Sequence, residues 1–247
     1  MDRPNASSGL RRILALLCLA ALPLAAPAPA AAEGPILVEL FTSQGCSSCP
    51  PADALLGTLA GEADVLPLSF HVDYWDYLGW RDTFAEARFT ERQVAYRDAW
   101  GARVVYTPQV VVAGIAPVIG SHEDKVRGAI ASAAGAPAPG RIEIGRENGA
   151  LVAQLANLPA DSVLNIAVFD QSALVEIGRG ENAGRAITYH NVVRDFMRIG
   201  SAGQAGPSLN LPEPMPGQGI AVWAQEPGHG AVHATARHLE GAALAAR

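Results

Sequence analysis

Two cysteines spaced as Cys-x-x-Cys are the residues best suited to chemistry in this sequence. Cys46 and Cys49 follow an apolar, strand-like run at residues 36–41 and precede a segment with helical character from Ala52. A dithiol at a strand-to-helix junction is typical of a redox site, because the partial positive charge of a helix amino terminus favours thiolate over thiol. The pattern predicts thiol–disulfide exchange, with Cys46 as the attacking thiolate and Cys49 as the resolving thiol.

Two other interpretations of this pair stay open at the level of sequence. One is a structural disulfide, although closing so short a loop removes little entropy from the unfolded chain. The other is a binding module that delivers copper or holds a protein partner, with a soft ion such as Cu(I) bound by Cys46, Cys49 and a nearby His71. A closed zinc site needs four ligands, and the sequence offers no second cysteine pair. We therefore predict a site without organic cofactor or resident metal.

Residues 1–32 have the composition of a secretory signal peptide. An apolar core at residues 13–24 is short for a membrane span, and residues 30–32 fit an A-x-A cleavage site. The whole chain carries a charge of −6 and residues 1–32 carry +2, so the remainder carries −8. We expect a periplasmic or secreted protein that acts on protein thiols or disulfides. An acidic surface suits neither nucleic acid nor an anionic membrane, and we expect no membrane insertion after signal cleavage.

A stretch rich in proline, alanine and glycine at residues 136–140 divides the rest of the chain. Predicted strands and helices alternate before it, over residues 33–135. After it, residues 141–247 contain short predicted strands separated by Gly, Pro and Asn, a spacing typical of an antiparallel sandwich of about seven strands. These strands are predicted at residues 141–146, 150–156, 163–169, 187–193, 220–224 and 231–238. We therefore predict two domains joined by a linker.

The elements of the first predicted domain come in a recognisable order. The sequence predicts a strand at 36–41, a helix at 52–61, a strand at 65–72, a helix at 82–100 and a hairpin at 109–119. A helix that begins near Ser121 closes the domain. The aromatic and helical stretch at about 73–101 reads as an insertion between the second strand and the hairpin.

This order, with Thr107-Pro108 before an apolar strand, resembles the thioredoxin fold. In that fold the proline is cis and faces the dithiol, so the resemblance places Pro108 in the site with Cys46 and Cys49. The residues alone also allow an ordinary trans proline at the start of an edge strand. The predicted fold class is an α/β thioredoxin-like domain followed by an all-β antiparallel sandwich domain.

Longer strings of sequence are similar to one particular family. Residues 41–53, 71–76 and 180–185 resemble the bacterial secreted proteins of unknown function called DUF1223. The resemblance extends over essentially the whole chain after the leader. It implies a thioredoxin-like module and no established reaction.

Several other side chains near the predicted site have two interpretations each. Four aromatic residues either line a groove for a partner polypeptide or cover the sheet edge: Tyr74, Trp75, Tyr77 and Trp80. Asp73 and Asp76 could transfer protons, or could cap helices and turns. His71 could face the dithiol, or could be a satisfied, partly buried histidine.

Overall fold

The computed structural model describes Met1, residues 34–136 and residues 138–241. The predicted signal peptide therefore lies outside the described residues, apart from Met1. The elements before the linker are β1 (Ile36–Thr42), α1 (Pro50–Ala60), β2 (Val65–His71), α2 (Ala87–Ala99), β3 (Gln109–Val112), β4 (Ala116–Ile119) and α3 (Glu123–Ala134). After it come β5 (Arg141–Glu147), β6 (Ala150–Ala156), β7 (Val163–Glu176), β8 (Ala186–Ser201), α4 (Ala202–Ala205), β9 (Ser208–Asn210), β10 (Gln218–Gln225) and β11 (Val232–Leu239).

A single mixed sheet of eight strands runs through both halves of the chain, in the order β11-β10-β7-β8-β2-β1-β3-β4. The halves join where β2 pairs in parallel with β8, at Ser69 and Val192. A separate sheet of three strands has the order β5-β6-β9. The prediction of a thioredoxin-like α/β domain followed by a separate antiparallel sandwich is therefore wrong.

The length of two strands explains this correction. Gly, Pro and Asn punctuation predicts short strands, but β7 has 14 residues and β8 has 16. Their far ends extend past the predicted bounds, and β8 pairs with the edge of β2 opposite β1. One apolar face of β7, β8 and β10 packs on the core of the first half, and the other face of β7 and β10 packs on the three-stranded sheet. One buried cluster accordingly combines Phe41, Phe70 and Phe89 with Phe169 and Trp223.

A buried ion pair also joins the two halves. Arg92 on α2 donates from Nε to Glu39 Oε1 on β1 at 2.6 Å, and both side chains are almost fully buried. The guanidinium lies over the rings of Phe196 and Trp223, at 4.9 and 5.3 Å from their centroids. A buried charge is costly unless it is paired. The ion pair and the ring contacts therefore hold α2 and β1 of the first half against β8 and β10 of the second half.

Helix α1 carries the dithiol and is held by its apolar face. Pro50 and Pro51 occupy its first positions, where a missing N–H costs nothing, so the helix starts two residues earlier than predicted. Leu55, Leu56 and Leu59 are buried on one side, within a cluster that includes strand residues of β1 and β3. Each such side chain contributes roughly 1.5–3 kcal/mol by leaving water. This packing fixes the start of α1 against the end of β1.

Helix α3 ends at Ala134 and β5 begins at Arg141, and the linker at residues 136–140 stays a prediction. Within the described ranges, no helix is long and apolar enough to cross a membrane.

Candidate functional site

Cys46 and Cys49 are joined by a disulfide, with their Cα atoms 5.4 Å apart. The pair lies between β1 and α1, and Cys49 is the residue that caps α1. Cys46 has an exposed fraction of 3% and Cys49 of 0%, whereas Ser47 and Ser48 between them are exposed. The disulfide therefore lies directly beneath a surface formed by two serines, with Cys46 the sulfur nearer to solvent.

The segment at residues 43–49, called here the dithiol loop, is fixed by the insertion that follows β2. The backbone N–H of Gln44 donates to Asp82 Oδ2 at 2.7 Å, and Trp80 Nε1 donates to Gln44 Oε1 at 2.8 Å. Gly45 lies against Trp75, where an added Cβ would approach the Trp75 carbonyl to 3.2 Å. The insertion thus contacts the dithiol loop at Gln44 and Gly45.

Asn182, in the connection between β7 and β8, holds the dithiol loop from the other half of the chain. Its Nδ2 donates to the carbonyl of Gln44 at 3.0 Å and to that of Cys46 at 2.9 Å. Asn182 is 1% exposed. Gly180, at φ +76°, lets this connection pass close to Trp80, since an added Cβ would lie 3.1 Å from its Cβ. The site is therefore built from both halves of the chain, which the sequence analysis did not predict. The one indication in the sequence was the stretch at residues 180–185, which resembles DUF1223 proteins.

The Thr107–Pro108 peptide bond is cis, in agreement with the sequence-based expectation. Trp75 Nε1 donates to Thr107 Oγ1 at 2.7 Å. Pro108 is buried, and a Cβ on Gly120 would lie 3.2 Å from Pro108 Cβ and 3.1 Å from Ala52 Cβ. Pro108 is thus placed near the first turn of the helix that carries the dithiol. Its catalytic role, like those of Cys46 and Cys49, stays a prediction.

A buried polar cluster, composed of Asp53, His71, Asp82 and Tyr189, lies behind the dithiol. His71 Nδ1 and Asp82 Oδ2 are 2.7 Å apart, and both side chains are fully buried. Thr42 Oγ1 donates to Asp53 Oδ1 at 2.8 Å. Asp53 follows Cys49 by four residues, so its side chain lies on the same face of α1 as that of Cys49. A buried carboxyl group therefore lies one helical turn after the inner cysteine.

The pKa values of the two carboxyl groups in the cluster are shifted in opposite directions. Burial raises the pKa of Asp53 from 3.8 to about 7, against the opposing effect of His71. Burial also acts to raise the pKa of Asp82, but attraction to His71 and hydrogen bonds from His71, Gln44 and Phe84 hold it below the usual value. The cluster therefore contains one carboxyl that titrates near neutral pH and one that stays ionised.

The other predicted candidates have mainly structural contacts. Asp73 Oδ1 accepts from Thr90, and Tyr74 donates to Gln93. Trp80 holds the dithiol loop through its N–H group, whereas the N–H group of Trp75 donates to Thr107. Tyr77 is 77% exposed, with its ring 6.4 Å from that of Trp75. Over the described part of the chain, no three His, Cys, Asp or Glu side chains are grouped as metal ligands.

Two solved structures are similar to this chain. One, a crystal structure of a protein from Agrobacterium tumefaciens, has 26% sequence identity and a TM-score of 0.71, and covers 88% of this chain and 100% of that chain. The other, HBP35 of Porphyromonas gingivalis, has 11% identity and a TM-score of 0.57, covers 87% of this chain and 79% of that chain, and shows a likeness of fold alone. The search of curated proteins gave no significant match.

The dithiol loop, the buried polar cluster and the β7–β8 connection all lie within a longer region of family similarity. The family described as "Protein of unknown function (DUF1223)" matches residues 37–225, which is most of the chain. The chain therefore belongs to the DUF1223 family.

Proposed function

We propose that this protein is a thiol–disulfide oxidoreductase that acts on protein thiols or disulfides in a periplasmic or secreted setting. The observation that carries the proposal is the Cys46–Cys49 disulfide at the start of α1, with the buried Asp53 one helical turn after the inner cysteine. A helix start favours the thiolate, and a carboxyl that titrates near pH 7 can hold the proton of a buried thiol.

The reaction follows from this arrangement. In the reduced protein, Cys46 attacks a substrate disulfide and forms a mixed disulfide, while one substrate sulfur leaves as a thiolate. Cys49 then gives its proton to Asp53 and attacks the sulfur of Cys46. The protein disulfide reforms, the second substrate sulfur leaves, and two electrons pass to the substrate. The reverse sequence oxidises a substrate dithiol.

A thioredoxin-like relationship is part of the proposal. It is supported by the strand order β2-β1-β3-β4, by α1 after β1, and by the proline that precedes β3. In this proposal Pro108 holds an extended substrate segment through its backbone and keeps metal ions from the sulfurs. The secreted setting is supported by the composition of residues 1–32.

A structural disulfide is the competing function, and the burial of both sulfurs favours it. A trapping experiment separates the two. The Cys49→Ser variant of the protein without residues 1–32 is reduced and mixed with a peptide that contains a disulfide. We expect a stable mixed disulfide on Cys46, detected by mass spectrometry, and none with Cys46→Ser. Ser47→Ala serves as the matched control and keeps full turnover. Absence of any adduct on Cys46 argues for a structural disulfide.

A further inference from the structure

A stacked pair of aromatic rings lies beside the dithiol loop and has no role in the reaction proposed above. The ring centroids of Trp75 and Tyr77 are 6.4 Å apart, with 21° between the ring planes. Trp75 is partly buried against the core, whereas Tyr77 is 77% exposed. Within the described part of the chain, Trp75 supplies the one ring in contact with that of Tyr77. A single exposed apolar side chain is ordinary on a protein surface, so the position of this pair decides its meaning.

Trp75 contacts both segments that meet at the disulfide. An added Cβ on Gly45, which directly precedes the first cysteine, would lie 3.2 Å from the Trp75 carbonyl oxygen and 3.3 Å from Trp75 Cβ. Trp75 Nε1 also donates to Thr107 Oγ1 at 2.7 Å, next to the cis proline. Trp75 therefore bridges the dithiol loop and the proline segment, and Tyr77 extends this bridge to the surface.

The backbone fixes Tyr77 in this place. Tyr77 is the middle residue of a short 3-10 helix, Asp76–Leu78, which ends at Gly79 with a φ of +93°. The backbone N–H of Leu78 donates to the carbonyl of Trp75 at 3.0 Å and closes the turn. A ring on a fixed turn loses little conformational freedom when a ligand covers it, so binding costs less entropy.

The charges near the pair are mostly negative. The charged groups that act on Asp76, the residue between the two aromatics, are Asp82, Asp73 and Arg81. Three carboxyl groups therefore surround the pair for one guanidinium. An aromatic face in acidic surroundings suits an uncharged aromatic side chain and disfavours an acidic one.

We propose that Trp75 and Tyr77 form a recognition surface for the substrate polypeptide and select an aromatic side chain next to the substrate cysteine. This inference rests on the proposed function, because the reacting sulfur is what brings a polypeptide to this surface. Neighbouring Cα atoms of a chain are about 3.8 Å apart, so the side chain beside a cysteine bonded to Cys46 comes within reach of the two rings. Stacking on Tyr77 then holds the substrate while its disulfide is attacked.

The test compares substrates that differ in one side chain. The peptides Gly-Phe-Cys-Gly, Gly-Ser-Cys-Gly and Gly-Glu-Cys-Gly each carry 2-nitro-5-thiobenzoate in a disulfide with the cysteine. In the reduced Cys49→Ser protein, the Cys46 thiolate attacks the peptide sulfur, a mixed disulfide forms, and the coloured thiolate leaves with the electron pair. Rates are divided by those with glutathione, which removes intrinsic differences between peptides. We expect the phenylalanine peptide to react about two- to tenfold faster than the serine peptide, and the glutamate peptide no faster than the serine peptide.

Tyr77→Ser in the same background tests the surface itself, with Met215→Ser as the matched control. Met215 is 63% exposed in the connection between β9 and β10, so both changes remove an exposed apolar side chain. Tyr77→Ser should abolish the preference for phenylalanine and leave the rate with the serine peptide unchanged, whereas Met215→Ser keeps the preference. An equal preference in both variants, or no preference with the aromatic pair intact, would overturn the proposal.

A binding measurement separates failure of the surface from failure of the proposed function. Saturation-transfer NMR with Gly-Phe-Ser-Gly, which has no thiol, needs no exchange. We expect transfer to the phenylalanine ring from the oxidised protein and from Met215→Ser, and loss of most of this transfer in Tyr77→Ser. If no peptide releases coloured thiolate, the proposed function fails, and transfer that depends on Tyr77 still supports the surface. If neither transfer nor preference changes in Tyr77→Ser, the surface is wrong.

Discussion

At the residue scale, the site combines a disulfide with a carboxyl group whose burial is unusual. Asp53 is 2% exposed, accepts one hydrogen bond from Thr42, and has a pKa raised to about 7. Its protonated form is therefore favoured in the folded state compared with the unfolded state. A chain that keeps such a residue four positions after Cys49 gives up stability at neutral pH, which is a common feature of functional sites.

The first prediction concerns the stability cost of Asp53. The folded protein binds more protons than the unfolded chain between about pH 4 and pH 7, so this group lowers stability as pH rises through that window. Asp53→Asn removes the ionisable carboxyl group and therefore this loss of stability with rising pH. We expect the variant to match the wild type near pH 4 and to be more stable above pH 7, by up to about 4 kcal/mol. Urea unfolding over this range measures the difference, with exposed Asp64→Asn as the control. A difference that does not change with pH would contradict the prediction.

The second prediction concerns the two thiols. In the reduced protein we expect Cys46 to react with iodoacetamide well below pH 8, while Cys49 stays protected. The helix start lowers a thiol pKa from about 8.5, and Cys46 is the sulfur nearer to solvent. Peptide mapping after timed alkylation checks this result. Equal and slow alkylation of both cysteines would argue against the catalytic assignment.

At the scale of elements, the dithiol loop is held between two segments that are far apart in sequence. The insertion after β2 contacts it through Trp80 and Asp82, and the β7–β8 connection contacts it through Asn182. Cys46 is 3% exposed in this arrangement. A substrate disulfide therefore reaches its sulfur only when the dithiol loop moves.

The third prediction is that Asn182 restrains the dithiol loop. Asn182→Ala removes two hydrogen bonds and leaves the carbonyls of Gln44 and Cys46 without that partner. We expect a stability loss of about 1–3 kcal/mol. We also expect the disulfide to be reduced several-fold faster by dithiothreitol, because the loop opens more often. The neighbouring, exposed Glu181→Ala is the matched control. Unchanged reduction kinetics in a destabilised Asn182→Ala protein would show that the connection does not limit access.

Local sequence patterns predicted the positions of the strands and helices well. They predicted poorly how these elements assemble. Apolar alternation located every strand of the large sheet, and the position of Thr107-Pro108 before an apolar strand led to the cis proline. The role of Asn182 could not be predicted, because its contacts join residues more than 130 positions apart. Asp53 was overlooked because an acid in a first helical turn ordinarily faces solvent, and only the fold reveals its burial.

At the scale of the whole molecule, one sheet and one buried ion pair unite the two halves. Gly, Pro and Asn punctuation predicted separate short strands, yet β7 pairs with β8 along most of its length and β8 pairs with β2. The ion pair between Arg92 and Glu39, with the guanidinium over Trp223, links α2 and β1 to the strands of the second half. The predicted linker therefore does not separate two independent cores, because the large sheet contains strands from both sides of it.

The fourth prediction follows from this shared core. Arg92→Leu leaves Glu39 buried without its charged partner and should destabilise the protein by about 3–5 kcal/mol. The double variant Glu39→Leu/Arg92→Leu should recover much of this loss. We expect both halves to unfold in one transition, observed by circular dichroism and by tryptophan fluorescence in urea. Two separate transitions would instead support a first half that folds by itself.

The reduction potential of the Cys46–Cys49 pair tests the central claim most directly. The protein is equilibrated in glutathione and dithiothreitol buffers of known potential, and the oxidised fraction is measured from the mass shift after alkylation. The proposed exchange function predicts a potential between about −120 and −270 mV, the range of known oxidoreductases. A potential below about −300 mV is typical of a structural disulfide and would contradict the account.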